Sequence, residues 1–241
     1  GRLDEVVIAN NIVVNQTQFS LNSSGGINGT FAGLLGGTAP LTGKLGPHAN
    51  GTAIEVRSSN AGAVVQAMGL VRQANGGNLL LRLEPRNATG VYDGVVDMED
   101  IKIQSLPAFG ELLNAVSVVG LLEQLNGPGL LFNDVHSVFK LAPGEIVIGE
   151  ASAVGASMGL SADGRYLTQQ GLLDIQGVLS PIYAVNVIGR PISKRGEGLI
   201  GFTYRLKGPV KDPVISVSPL SALTPGFFRE IFRRPPPDLS N

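Results

Sequence analysis

The sequence contains no cysteine and only two histidines. The missing thiols exclude disulfide bonds and the usual thiolate metal sites, although they do not fix a cellular compartment. The histidines, His48 and His136, lie far apart in the chain, and neither has a second ligand at metal-binding spacing. We therefore expect no metal site and no bound cofactor.

Phosphate-binding signals are also missing. The glycine-rich stretch from Gly25 to Gly37 lacks the Gly-Lys-Ser/Thr ending of a phosphate loop, and Gly43-Lys44 is followed by Leu45 where a hydroxyl would be needed. The carboxylates fall in ordinary strand and turn contexts, and the sequence does not bring any pair of them together. We expect that the chain is not an enzyme.

Charge is scarce and balanced. Charged residues make up 15% of the chain and the net charge is −1, so no strong field attracts nucleic acid, and we expect no nucleic-acid partner. The 43% of hydrophobic residues and the 33 glycines are typical of many strands joined by tight turns.

Long hydrophobic runs are absent as well. No uninterrupted apolar run reaches the roughly 18 residues that span a bilayer. No signal peptide is visible, and the sequence does not begin with methionine. We expect residues 1–241 to be a C-terminal fragment of a longer protein whose membrane anchor lies upstream.

The residues that are present alternate in polarity, above all from Leu130 to Phe232. Along β-like segments such as IGFTYRL, from Ile200 to Leu206, apolar residues occupy every second position and the intervening residues are small or polar. This period of two predicts strands with one apolar side and one wet side. Asn-Gly and Gly-Gly pairs between the segments predict tight hairpin turns.

The alternation also predicts which side chains share an interior. We expect one common apolar face formed by Val135, Phe139, Leu141, Ile146, Ile148, Met158, Leu160, Leu173, Ile175, Ile200, Phe202, Tyr204 and Leu206. Their polar neighbours, which include Lys140, Asp174, Gln176 and Arg205, should face water.

Two segments change to helical spacing. Residues 60–74 have Ala63, Val64, Ala67, Met68 and Val71 on one helical face, with Ser59 or Asn60 as the N-cap and Gly76-Gly77 as the end.

Residues 106–125 form the second predicted helix, which begins near Pro107 and ends at Asn126-Gly127. Its predicted buried residues are Phe109, Leu112, Leu113, Val116, Val119 and Leu122. The helix either packs as core on the sheet or covers an apolar groove as a movable lid. Further short helices are expected at 181–188 and 225–233.

Several short motifs in order carry a family resemblance. They are GVLSPIYAVN from Gly177 to Asn186, Gly196-Glu197-Gly198-Leu199, FTYRLKG from Phe202 to Gly208, Asp212-Pro213, and SPLSALTPGFF from Ser218 to Phe228. This set resembles the C-terminal end of AsmA-like proteins, in particular the large YhdP-type envelope proteins of Gram-negative bacteria. The resemblance is densest over 106–232, weaker over 61–105, and only general before residue 61.

The resemblance implies a mainly β fold with a few helices: an elongated, curled antiparallel sheet that forms a taco-like trough, with short capping helices. Residues 1–105 would be a strand-rich portion with helix 60–74, and residues 106–241 the AsmA-like C-terminal portion. It also implies a function. The chain would be part of a periplasmic bridge that carries phospholipid between the inner and outer membranes, anchored in the inner membrane by an N-terminal helix outside this fragment.

The partners implied are phospholipid acyl chains, the inner leaflet of the outer membrane or a protein associated with it, and the upstream part of the same chain. The candidate lipid-binding residues are Phe139, Ile146, Ile148, Leu160, Leu173, Ile175, Ile200, Phe202, Tyr204 and Leu206.

Near its end the sequence places aromatic residues and arginines side by side. This pattern suits a membrane interface, where arginine meets phosphate and rings enter the headgroup boundary. It equally suits a capping helix that docks on the last strands. The candidate interface residues are Phe227, Phe228, Arg229, Ile231, Phe232, Arg233 and Arg234.

A rival interpretation of the whole chain remains open. A closed two-layer β domain that docks other envelope proteins, and that carries no lipid, would show the same alternation. An apolar face wholly filled by the chain's own side chains would favour this structural module.

Overall fold

The computed structural model describes residues 1–9, 12–23, 25–104, 110, 112–114, 123, 125–181, 201–210, 212–218 and 233–240. Strands dominate these residues. They are β1 (Arg2–Ala9), β2 (Ile12–Asn22), β3 (Asn28–Leu35), β4 (Ala39–His48), β5 (Gly51–Ser58), β6 (Gln73–Asn75), β7 (Asn78–Pro85), β8 (Tyr92–Gln104), β9 (Leu130–Ala142), β10 (Glu145–Val154), β11 (Met158–Leu167), β12 (Leu172–Pro181), β13 (Phe202–Pro209) and β14 (Val214–Ser218).

All fourteen strands belong to one antiparallel sheet. Its order follows the chain from β1 to β14, except that β6 lies beside the end of β8. Strands β8 and β9 pair directly, so one sheet includes strands from both predicted portions of the chain, 1–105 and 106–241. At about 4.8 Å per strand the sheet is about 60 Å long, and in the described residues it does not close on itself. The prediction of a mainly β, elongated and curled antiparallel sheet is confirmed.

Short turns produce this simple order, because each strand returns next to its predecessor. Between β3 and β4 the chain reverses at Gly36 and Gly37, whose φ angles are +57° and +74°. Glycine adopts such angles without a Cβ clash, which explains the Gly-Gly pair in the sequence.

The strand register assigns side chains to faces, because directly opposed residues point the same way. One row joins Val135, Ala153, Leu160, Leu179 and Phe202 across five strands. A second row joins Leu141, Ile146, Tyr166 and Leu173. We call the side that holds these rows the apolar face, and the opposite side the polar face.

The strand register places the described members of the predicted interior on one face of the sheet. Val135, Phe139, Leu141, Ile146, Ile148, Met158, Leu160, Leu173, Ile175, Phe202, Tyr204 and Leu206 all belong to the apolar face. Ile200 lies outside the described residues.

The first helix, α1 (Ala61–Ala67), begins as predicted at Asn60, whose side-chain oxygen accepts a hydrogen bond from the Ala63 N–H at 3.0 Å. It ends earlier than predicted. Gly69, with φ +71°, donates to the Gln66 carbonyl, and Leu70 donates to the Val65 carbonyl.

These two bonds form a Schellman motif, which satisfies the last carbonyls and stops the helix. The prediction of a helix over 60–74 is therefore wrong after residue 67. Met68, predicted to lie on the apolar face of this helix, is 44% exposed, and residues 73–75 form strand β6 instead.

The second predicted helix is helical at residues 110, 112–114, 123 and 125–126. Leu112 and Leu113 are buried as predicted, and Leu125 is buried beside them in the core cluster. Phe109, Val116, Val119 and Leu122 lie outside the described residues, as do 182–188 and 225–232. Within the described parts, no helix is long and apolar enough to cross a membrane.

Candidate functional site

The apolar face of β8 to β13 carries no Asp, Glu, Lys, Arg or His among its described side chains. The charges of these strands point the other way. On the polar face Glu145 pairs with Arg165 at 3.0 Å, and Asp174 lies 3.8 Å from Lys207. Segregation of this kind leaves a charge-free surface six strands wide.

One part of the apolar face is filled by the chain itself. Val64 and Val65 of α1, together with the helical residues Leu112, Leu113 and Leu125, form a buried cluster with the ends of several strands. We call this part the filled zone. Its strand residues include Leu79, Ile101, Leu130, Phe132, Met158, Leu179 and Tyr204, all of them less than 9% exposed.

The other part of the apolar face is less covered, and we call it the open zone. Its residues are half-buried and lie outside the buried cluster: Tyr92, Phe139, Leu141, Ile146, Ile148, Tyr166 and Leu173. Among the other candidate lipid-binding residues, Leu160, Phe202 and Leu206 are half-buried but pack against the filled zone. Ile175 and Tyr204 are buried.

Two phenylalanine rings on the apolar face lie with their far ends over a glycine of the neighbouring strand. Phe139 faces Gly94, where an added Cβ would come within 2.3 Å of the ring. Phe31 covers Gly43 in the same manner, with the corresponding distance 2.1 Å. Each ring thus occupies the space that a side chain at the glycine would need.

We predict that Gly94→Ala destabilises the protein by about 1–3 kcal/mol, the usual cost of overpacking, because the new methyl group displaces the Phe139 ring. Urea unfolding of the variant measures this change. Gly46→Ala is the matched control, since nothing lies within 4 Å of a Cβ at that position of β4. Equal stability of the two variants would show that the Phe139 ring does not rest on Gly94.

The described end of the chain, residues 233–240, lies on the polar face, and we call it the C-terminal segment. Arg233 forms an ion pair with Asp163, and each of the two side chains is 4% exposed. The Arg234 guanidinium donates to both carboxylate oxygens of Asp174, at 2.9 and 2.7 Å.

Both arginines, predicted as candidates for a membrane interface, thus bind the sheet in this structure. The other candidates, Phe227, Phe228, Arg229, Ile231 and Phe232, lie outside the described residues.

The C-terminal segment also corrects the prediction for Gln176, which is 2% exposed instead of facing water. Its Nε2 donates to the Arg234 carbonyl at 2.7 Å and to Asp163 Oδ2 at 2.8 Å, and its Oε1 accepts from the Arg234 N–H at 3.1 Å. The contact joins residues 58 positions apart, so alternation within β12 could not reveal it. Asp174, Lys140 and Arg205 are half-buried on the same face.

The hydrogen bonds from Arg234 hold the pKa of Asp174 below its ordinary value of 3.8, with help from the charges of Lys207 and Arg205, while partial burial acts in the opposite direction. Arg165 lies directly opposite Asp174 on β11. Because the pKa is lower in the docked state, this pair stabilises docking above pH 3.8 and loses its effect as the pH falls through the lowered value.

We predict that Arg234→Ala raises the pKa of Asp174 towards 3.8. The carboxyl ¹³C shift of Asp174, followed by NMR as a function of pH, measures it. Arg57→Ala is the control: it should raise the pKa of Glu55, which Arg57 lowers by a 2.9 Å hydrogen bond, and leave Asp174 unchanged. An Asp174 titration that is the same with and without Arg234 would contradict the pairing.

The polar face also contains a groove of about 900 Å³ between β4 and β9. Its lining carries both signs of charge, with Arg57 and Arg82 beside Asp97, Glu99 and Asp134. Such a surface binds water well and offers acyl chains no advantage.

The prediction that the chain is not an enzyme overlooked one motif. Residues 155–159 read Gly-Ala-Ser-Met-Gly, the pattern of a nucleophile elbow. The structure places them at the hairpin between β10 and β11, where Gly155 donates to the Met158 carbonyl. An elbow requires a turn from strand to helix, so the local structure does not match the motif.

Metal-binding and acid–base groups offer little more. Of the residues that the structure describes, no group of three or more His, Cys, Asp or Glu is arranged to hold a metal ion. The Nδ1 of His136 lies 2.7 Å from an Asp97 oxygen, in a cross-strand pair on the polar face.

Comparison with known proteins gives no relative. No family model matches the chain, and no curated protein or solved structure matches it either. The candidate site is defined by the structure alone. It consists of the apolar face, with its filled zone and open zone, and the C-terminal segment on the opposite side.

Proposed function

We propose that this chain is part of a periplasmic bridge that carries phospholipids between the inner and outer membranes of a Gram-negative cell. The acyl chains lie against the apolar face and the headgroups stay in water. The observation that carries the proposal is the charge-free apolar face across β8 to β13, whose open zone is only half-buried. The family resemblance of the C-terminal motifs supports the same function.

The energetics favour a hydrocarbon occupant. Each CH₂ group moved from water to an apolar surface contributes about 0.8 kcal/mol, so a few carbons of an acyl chain outweigh a typical polar contact. Contiguous apolar surface of more than a few hundred Å² is rare on soluble monomers and marks a binding surface. The open zone carries no charged side chain that would hold a lipid at one place, which suits movement along the sheet.

The direction of the path follows from the topology. The strands run across the trough, and their order runs along its length, so a lipid moving from strand to strand would travel along the sheet. In this proposal the upstream part of the same chain, anchored in the inner membrane, supplies the lipid. The inner leaflet of the outer membrane, or a protein associated with it, receives it.

The proposal is tested by mass spectrometry of lipids extracted from protein purified without detergent. We expect phospholipid in near-stoichiometric amount, and its loss when the protein is washed with a detergent that competes for the apolar face. Purified protein that is folded and free of lipid, and that takes up none from vesicles, would contradict the proposal.

A second candidate is a structural module of the envelope that docks other proteins and carries no lipid. The filled zone favours it, because α1 and the helical residues Leu112, Leu113 and Leu125 already cover part of the apolar face. The lipid-free outcome of the same experiment would support this module.

A further inference from the structure

The C-terminal segment crosses the polar face between two anchors. At one end Arg233 and Arg234 contact Asp163 of β11 and Asp174 of β12. At the other end Leu239 and Ser240 contact Arg86, which follows β7. Leu239 also lies against Gly149 of β10, so the segment crosses from β12 and β11 to β10 before it meets Arg86.

The first anchor contacts both the side chains and the backbone of the C-terminal segment. Asp163 and Asp174 lie on adjacent strands of the polar face, and each takes one arginine, with the Arg234 fork bound at both carboxylate oxygens. Gln176 between them bonds to the N–H and the carbonyl of Arg234. The anchor thus requires two adjacent cations, and a residue other than proline at the second position, because proline has no N–H.

Three prolines connect the anchors. Pro235, Pro236 and Pro237 have restricted φ angles and no N–H groups, so they favour an extended polyproline conformation without partners on the sheet. A segment that is extended before it binds loses little conformational entropy on docking. The three prolines thus limit the distances that the segment can span between the two anchors.

The second anchor has two parts: a space above Gly149, which we call the notch, and the Arg86 guanidinium, which binds backbone carbonyls. A Cβ at Gly149, in the irregular part of β10, would come within 2.7 Å of the Leu239 side chain, so the glycine leaves room for it. Arg86 donates to the carbonyls of Leu239 and Ser240. Its Nε lies 2.9 Å from both oxygens of Asp93, and this fixes its direction.

We propose that these groups form a peptide-recognition site for segments of the pattern Arg-Arg-Pro-Pro-Pro-x-Leu. The chain's own C-terminal segment is its resident ligand, and a second segment of the same chemistry can replace it. The site consists of Asp163, Asp174, Gln176, Gly149 and Arg86. It lies on the face opposite the open zone and does not depend on lipid binding.

A tethered ligand competes strongly with a free one, because a short tether gives an effective concentration in the millimolar range. The resident segment must therefore be weakened before a free peptide is detected. Arg233→Ala combined with Arg234→Ala does this in the chain of residues 1–241 without changing any residue of the site.

The test is fluorescence anisotropy of a labelled peptide with the sequence of residues 233–240. We expect the Arg233→Ala/Arg234→Ala chain to bind it at least about tenfold more tightly than the wild-type chain does, because the wild-type site is occupied. In this double variant, the further substitution Asp174→Asn removes the charge that binds the second arginine of the peptide. It should weaken peptide binding about tenfold or more. Gly149→Val, which fills the notch, should also weaken it.

Binding that neither Asp174→Asn nor Gly149→Val weakens would overturn the proposal. Equal binding to the wild-type and double-variant chains would place the peptide elsewhere and overturn the proposal, as would no binding to a double variant whose circular dichroism matches the wild type. If the double variant does not fold, a charge exchange replaces it: Asp174→Arg should lose the resident segment and bind a peptide with aspartate at the second position. Failure of that peptide to bind would overturn the proposal, and neither experiment involves lipid.

Discussion

A photoreactive amino acid at position 141 is expected to crosslink to phospholipid acyl chains, whereas the same amino acid at position 140 is expected to give no lipid adduct. Leu141 belongs to the open zone, and its neighbours across the sheet are Tyr92 and Ile146. Lys140 is the next residue of β9 and points to the polar face, opposite Asp93 and Val147. Because the two positions share a strand and are both half-buried, only the face differs.

The measurement is mass spectrometry of the irradiated protein after purification from cells or after incubation with vesicles. The expected adduct at position 141 has the mass of a phospholipid, and its yield should fall when detergent occupies the apolar face. Position 206 provides a second test, since Leu206 lies on the apolar face and Arg205 on the other. Equal adducts at 140 and 141, or none at either, would leave the lipid proposal without support.

The predicted common face agrees with the structure because it depends on a local property. Alternation of apolar and polar residues fixes the face of each side chain once a strand forms, and a slip of one residue would expose the whole set. A large buried side chain such as Met158 or Leu179 contributes about 1.5–3 kcal/mol, so the register is strongly determined. The hairpin topology could be predicted for the same reason, since glycine turns connect strands that are adjacent in sequence.

Non-local contacts could not be predicted in this way. The burial of Gln176 arises from a segment 58 residues further along, and Asp163 carried no signal that it would bind Arg233. A buried ion pair costs desolvation as well as gaining attraction, so residue type alone does not indicate that two such groups meet. The end of α1, in contrast, could have been predicted. Gly69 is present in the sequence, and a glycine before an apolar residue such as Leu70 indicates a Schellman motif.

The division of the apolar face into two zones was also beyond the sequence. Leu112 and Ile146 are equally apolar, yet one is 2% exposed and the other lies in the open zone. The difference depends on where the helical residues between β8 and β9 pack, which periodicity does not specify. It has a practical consequence: a charge at Phe202 would test folding as well as lipid binding, because Phe202 packs against the filled zone.

A charge at Ile146 avoids this difficulty, and we expect Ile146→Asp to fold and to lose lipid. Ile146 lies between Leu141 and Tyr166 in the open zone, outside the buried cluster. Without lipid the new carboxylate is reached by water. With lipid it must be desolvated against an acyl chain, which costs several kcal/mol. A penalty of about 3 kcal/mol lowers affinity roughly a hundredfold, so the phospholipid content of purified protein should fall to background.

Ile146→Ala is the matched control. Both substitutions remove the same half-buried side chain, and each should destabilise the fold by about 1–2 kcal/mol in urea unfolding. Only the aspartate adds a charge, so a difference in lipid content between two equally stable variants reports contact of position 146 with hydrocarbon. If both variants retain as much phospholipid as the wild-type protein, the bound acyl chains do not contact position 146, and the proposed path over the open zone is wrong.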